Sequence, residues 1–182
     1  MSFTWTAHRF AGGSLALDVA NSVILRFDAE RSIDRFADAG QLQAFPVAAR
    51  AFSAERALFG DLAPVAPDDA SGFLALREVI DRYFRLRAQG EDPTVELADL
   101  LACAADILRS GPDSRSLEVQ TVRSALRLIA LPEPERLKIC GHCGWLFLDR
   151  SKNRSRFWCD MSVCGNRAKA SRHYRRRKGD VT

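Results

Sequence analysis

The sequence predicts a mainly α-helical protein with few short strands, an α+β arrangement being the nearest alternative, that ends in a small cysteine-rich module and a basic helix. Three observations carry this expectation. Apolar residues recur at three- and four-residue spacing through several stretches before residue 132. Four cysteines crowd between Cys140 and Cys164. Finally, the sign of the charge reverses near Pro134: residues 136–182 hold thirteen Lys and Arg against three Asp and Glu, whereas residues 1–135 hold fourteen against twenty.

The helices follow in order. Ser14 precedes Leu15, Val19 and Val23 at four-residue spacing, the pattern of a short capped helix with one apolar stripe. Asp18, Asn21 and Ser22 fall on its other side. There Asp18 and Asn21 are candidate ligand-pocket groups, with capping and surface roles as the plainer alternative. Between Ile24 and Phe45 the pattern is mixed and predicts a strand near Ile33 to Phe36, then a helix capped by Asp38 that ends before Pro46. Ser53 to Ser71, with Pro64, Pro67, Asp68 and Asp69, reads as a loop.

Ser71 opens an amphipathic helix with Leu76, Val79, Ile80, Tyr83 and Phe84 inward, terminated by Gly90. Thr94 caps the next, which turns Leu97, Leu100, Leu101, Ala104, Ile107 and Leu108 inward. A third begins near Ser116 with Val119, Val122, Leu126 and Ile129 inward and stops at Pro132 and Pro134. The segment LPEPERLK then divides the chain into 1–134, a helical domain for sensing or dimerisation, and 135–182, the metal module with its helix.

A chain of 182 residues with 47% hydrophobic and 27% charged side chains suits one ordinary domain plus a small appendage, and is too polar throughout for a membrane span. Its first residues lack the layout of a signal peptide, so the expected compartment is the cytoplasm. Clustered cysteines fit metal thiolates in a reducing compartment better than disulfides, and Cys103 stands apart.

Cys140 and Cys143 form CxxC, and Cys159 and Cys164 form a second pair. Two such pairs joined by a hairpin deliver the tetrahedral thiolate set that zinc prefers, so the expectation is one structural zinc per chain with no open position for chemistry. Gly144 and Gly165 follow the two pairs and suit knuckle turns that aim N–H groups at sulfur. Trp145 to Leu148 and Arg156 to Trp158 read as two strands joined by DRSKNRS. His142 inside CxxC reads as a solvated knuckle residue, and an iron site of rubredoxin type is the competing metal assignment.

From Asn166 onward, NRAKASRHYRRRK reads as a helix displaying Arg167, Lys169, Arg172, Arg175, Arg176, Arg177 and Lys178, with Ala168, Ala170 and Tyr174 left for packing. A rod so charged repels itself, and phosphates relieve that repulsion. Arg150, Lys152, Arg154 and Arg156 add a second cluster in the loop. Asn166 and Arg167 lie where base edges or phosphates are read. The plainer reading is that some of these charges only neutralise a tetrathiolate zinc.

Cys164, Gly165, Asn166 and Arg167, with Phe147, Asp149, Ser151, Arg156, Trp158, Met161 and Lys169, resemble the CGNR zinc finger family. LALDVANS at Leu15 to Ser22 resembles the ABATE domain that precedes such fingers. The resemblance implies a bacterial, stress-related transcription regulator with zinc on the four cysteines. With DNA as the partner of the basic helix, the two-part architecture suggests an N-terminal domain that senses a small-molecule effector or mediates self-association, and a single finger reads so few bases that a homodimer is expected. A module binding protein or RNA is the alternative. No nucleophile motif or phosphate loop supports an enzyme built on Asp18, Glu78 or Asp81, so catalysis is not expected.

Overall fold

The computed structural model describes residues 3–110 and 113–179, leaving aside the side chains of Arg172, His173 and residues 175–179. Six α-helices and two antiparallel two-stranded sheets make up its regular structure, a mainly α fold. Every residue of α1 (Leu15–Ala20) is buried, because it lies between α3 (Ala70–Gln89) and α5 (Leu117–Ile129). So deep a helix start needs partners for its free N–H groups. Leu17 N–H donates to the Ser14 hydroxyl (3.3 Å), Leu15 N–H to Glu55 (2.8 Å) and Ala16 N–H to Ser124 Oγ (2.9 Å).

Before α3, the strands β1 (Val23–Ile24) and β2 (Ile33–Asp34) pair over two residues each. The strand expected through Phe36 stops at Asp34, whose carboxylate accepts Phe36 N–H (2.9 Å) and turns the chain into a 3₁₀ turn. Next, α2 (Ala39–Phe52) is capped by Asp38 as expected but runs straight through Pro46. A proline inside a helix costs about 3 kcal/mol. Keeping Phe45, Leu42, Ala48 and Ala49 buried on one continuous stripe outweighs that, at about 1.5–3 kcal/mol for each large side chain. The proline-rich stretch that follows is irregular, as its composition predicts, yet Phe59, Leu62 and Val65 are buried beneath it.

α3 buries Phe73, Leu76, Ile80, Tyr83 and Phe84 and ends on Gly90 in the left-handed region (φ 79°). α4 (Thr94–Arg109) packs mainly along α3 and covers a narrow stripe. Leu100 and Ala104 are buried and Leu97 and Ile107 partly so, whereas Leu101 and Leu108, expected inward, are exposed. Asp92 takes the capping role expected of Thr94, accepting both its N–H and its hydroxyl proton. On α5, Ser116 caps as expected and Leu126 is exposed, because the buried face runs instead through Leu117, Val122, Ala125 and Leu128.

The main core reaches across the chemical boundary at Pro134, and Cys140, Trp145, Phe147, Cys159 and Cys164 form a second buried cluster beyond it. β3 (Leu137–Ile139) and β4 (Leu146–Leu148) form an antiparallel hairpin in the register Leu137 to Leu148 and Ile139 to Leu146. Leu137 and Leu146 belong to the same buried cluster as α1, α3 and α5. No helix among the described residues is long and apolar enough to cross a membrane.

Candidate metal centre and basic face

The β3–β4 hairpin carries the first cysteine pair at its turn. Cys140 N–H donates to Trp145 O (2.8 Å) and Gly144 N–H to Cys140 O (2.9 Å), which closes the knuckle. Gly144 has φ 73°, so its lack of a Cβ is a backbone requirement there. Cys143 N–H points at the Cys140 sulfur and Trp145 N–H at the Cys143 sulfur. Gly165 keeps negative φ; a Cβ there would meet Trp158 Cδ1 at 3.3 Å, so its constraint is space.

The second pair comes from a different device. Asp160 accepts the N–H groups of Ser162 (2.8 Å) and Val163 (3.3 Å) and starts a π-type turn, Met161–Gly165, that runs directly into α6 (Asn166–Gly179). Cys164 sits at the end of that turn. The metal ligand and the start of the basic helix are therefore one continuous piece of backbone.

All four sulfurs lie within 4.8 Å of one another, and none is in a disulfide. Cys143 and Cys159 are 3.6 Å apart and Cys159 and Cys164 3.7 Å. A tetrahedron with zinc–sulfur bonds of about 2.3 Å has edges of about 3.8 Å, and these two edges already match it. Four thiolates this close are tolerable only around a cation. His142 is exposed and outside the set. With every position filled by protein, the zinc of this centre is structural.

Around the metal, the expected strand at Arg156 to Trp158 is absent. The fully buried Asp149 carboxylate takes its place as organiser, accepting from Ser151 N–H (2.9 Å), Ser151 hydroxyl (2.6 Å), Arg156 N–H (2.9 Å) and the Lys138 ammonium (2.8 Å). Burial pushes its pKa up, but the Lys138 ammonium, the Ser151 donors and Arg156 N–H outweigh that and hold the carboxyl well below the usual range. β4 finds its ladder partner in β3 instead.

The helical body holds the finger through side-chain hydrogen bonds, one of them from a buried asparagine. Asn21 donates to Leu146 O (2.8 Å) and accepts Leu146 N–H (3.0 Å), continuing the sheet with a side chain. Asp18 accepts Gly12 N–H (3.1 Å) and the Ser53 hydroxyl (3.0 Å). Both residues, candidate pocket groups in the sequence, are buried and engaged by protein groups. Trp145 Nε1–H donates to Val23 O (3.2 Å), and Arg85 to Gly144 O (3.0 Å). His8 pairs with Asp160 (2.9 Å) and also reaches the Cys164 sulfur. Glu78 and Asp81 are neutralised by Arg26, Arg77 and Arg85, an arrangement that ties β2 to α3 through the Arg77–Asp34 pair.

The basic residues separate into two groups. Arg154 is held by Glu133 and Glu135, and Arg156 turns inward to Trp158 O and Cys159 O over the Phe147 ring. Arg150 donates to Gly13 O (2.6 Å). These loop cations, expected to face a polyanion, are occupied by the protein itself. Asn166 donates to Ser162 O (2.8 Å), so its amide caps the turn. Arg167 and Lys169 are exposed at the start of α6 and meet no carboxylate among the described residues. Arg172, Arg175, Arg176, Arg177 and Lys178 belong to α6, but their side chains lie outside the described residues.

Two cations that sequence reasoning missed join Arg167. Arg9 lies over the rings of Phe3 (5.4 Å) and Trp145 (5.7 Å), and Arg35 over Phe3 (4.0 Å). Partial burial lowers the Arg9 pKa, and the charges of Arg35 and Arg167 lower it further. Arg35 Nε is buried without a hydrogen-bond partner. Nothing periodic marks these residues locally; they become a group only because His8 and Trp145 lock the N-terminal turn against the finger.

Residues 136–177 match the model of the CGNR zinc finger family. No curated protein matches the chain.

Proposed function

We propose that this protein binds duplex DNA through the face formed by the start of α6 and the N-terminal 3₁₀ turn, and acts as a transcription regulator. The observation that carries the reading is a set of cations from both halves of the chain, Arg9, Arg35, Arg167 and Lys169, that meet no carboxylate among the described residues. Like charges held together and unpaired raise the free energy of the isolated protein, and a phosphate backbone relieves it with release of condensed cations. Zinc held by Cys164, in the turn that runs into α6, would fix the direction of that helix. In this reading residues 1–134 form an ABATE-like regulatory body whose Asn21 and His8 set the finger's orientation, and no catalysis is assigned to it.

The test is fluorescence anisotropy of the zinc-loaded protein with a labelled duplex across a salt series. Arg167→Ala with Lys169→Ala, and separately Arg9→Ala with Arg35→Ala, are each expected to weaken binding and to make the slope of log K against log salt shallower by about 1–2. Unchanged affinity and slope in both double variants overturns the assignment of this face. Tighter binding to single-stranded RNA than to the duplex favours the RNA-module alternative.

A further inference from the structure

A cavity of about 410 Å³ opens between the start of α3, the C-terminal half of α4 and the start of α5, away from both the metal centre and the basic face. Its wall is partly hydrocarbon, from Phe73, Ala75 and Ile107. Among the described residues, the charged groups on it are Asp68, Asp69, Asp106 and Glu118, and no Lys, Arg or His lines it. Arg109 pairs with Asp106 (3.0 Å) from outside, where both are exposed.

Glu118 marks this as more than a patch of surface acids. The residue is 4% exposed, and its Oε2 is buried with no hydrogen-bond partner among the described residues. A carboxylate oxygen left so is expensive, on the order of 1–3 kcal/mol or more, and the cost falls when a donor enters. Burial raises its pKa above the ordinary glutamate value, offset in part by its own backbone N–H and the Ser116 hydroxyl, with Asp69 adding to the rise.

The donor is not an inorganic cation held by converging ligands. Among the described residues, the only side chains whose metal-binding atoms converge are the four cysteines. The volume lies at the lower end of small-molecule sites, and an apolar wall beside one buried acid suits an amphipathic ligand. We propose that this cavity binds a primary ammonium ion with a short apolar body, its ammonium group on Glu118 and its hydrocarbon against Phe73 and Ile107.

Cys103 lines the cavity, is half-buried, and is not a zinc ligand, so its alkylation reports occupancy at this place in the zinc-loaded full chain. The probe is phenethylammonium, with 2-phenylethanol and 3-phenylpropanoate as neutral and anionic comparators at matched ionic strength. Phenethylammonium is expected to slow iodoacetamide labelling of Cys103 saturably, with a Kd of about a millimolar or below, while the comparators do not. Glu118→Gln keeps the shape and removes the charge, and is expected to raise that Kd about tenfold or more with the fold intact.

Gly72 supplies an independent variant, because a Cβ built there meets nothing within 4 Å. Gly72→Leu adds a bulky side chain to a residue of the cavity lining, and it is expected to abolish the effect of phenethylammonium on Cys103. Equal protection by phenylethanol, absence of protection by any of the three probes, or an unaltered Kd in Glu118→Gln overturns the proposal. None of these outcomes bears on DNA binding, which is read by a different assay on a different face.

Discussion

Replacing Asn21 with Ala removes the two hydrogen bonds by which α1 holds the edge of β4. Leu146 is fully buried and Asn21 is 4% exposed, so water cannot replace the lost amide without opening the core. The Leu146 N–H and C=O, bonded at 3.0 and 2.8 Å in the native protein, are then both left without a partner. Each buried orphan costs about 1–3 kcal/mol, so the variant should lose about 3 kcal/mol. For a chain of this length that corresponds to a fall in Tm of roughly 6–12 °C.

Thermal unfolding of zinc-loaded protein followed by tryptophan fluorescence reads this directly, since Trp145 donates its indole N–H to Val23 O across the same junction. Leu137 and Leu146 of the finger lie in the body's own buried cluster, so a single cooperative transition is expected. A fall of less than about 2 °C would refute the clasp. Two separated transitions, with only the finger shifted, would refute the shared core.

Gly144→Ala should cost about 1–2 kcal/mol, because the residue is held at φ 73°. The close approach of Phe27 Cε1, 1.9 Å from a built Cβ, adds little, since that ring is 68% exposed and free to swing aside. Denaturant midpoints at fixed zinc measure the sum, and a neutral or stabilising result would contradict the knuckle geometry. Asp18 has its pKa raised well above the usual carboxylate value, by burial first, with the Ser53 hydroxyl and Gly12 N–H opposing. The unfolded chain ionises there near pH 4, so stability is lost as pH rises from about 4 toward the folded pKa. Asp18→Asn should therefore become progressively more stable than the wild type between pH 5 and 8, measured as the difference in Tm; a difference that shrinks with rising pH would overturn the sign.

Much of this was legible in the sequence because it is local. The caps Ser14, Asp38 and Ser116, the stop at Gly90, and the stripe through Leu76, Ile80 and Phe84 each depend on residues a few positions apart. The four ligands were legible because zinc imposes their spacing. What was not legible depends on partners distant in the chain. Asn21 looks like a helix-end polar residue until β4 arrives 125 positions later to use it. Leu137 and Ile139 alternate around Lys138, a strand signal obscured by the preceding prolines, and β4 paired with them in place of Arg156 to Trp158.

The basic loop shows the same limit. Charge counting grouped Arg154 and Arg156 with the helix cations, whereas Arg154 pairs with Glu133 and Glu135 and Arg156 donates to backbone carbonyls. Arg9 and Arg35 carry no local pattern, and Arg9 comes near Arg167 because the neighbouring His8 is pinned to Asp160.

Native mass spectrometry of the protein purified without chelator, beside Cys159→Ser, tests most directly whether one metal joins the hairpin to the turn that begins α6. The expected result is one zinc on every intact wild-type chain and none on the variant. A wild-type chain that carries no metal, or a variant that keeps its zinc, would contradict the account.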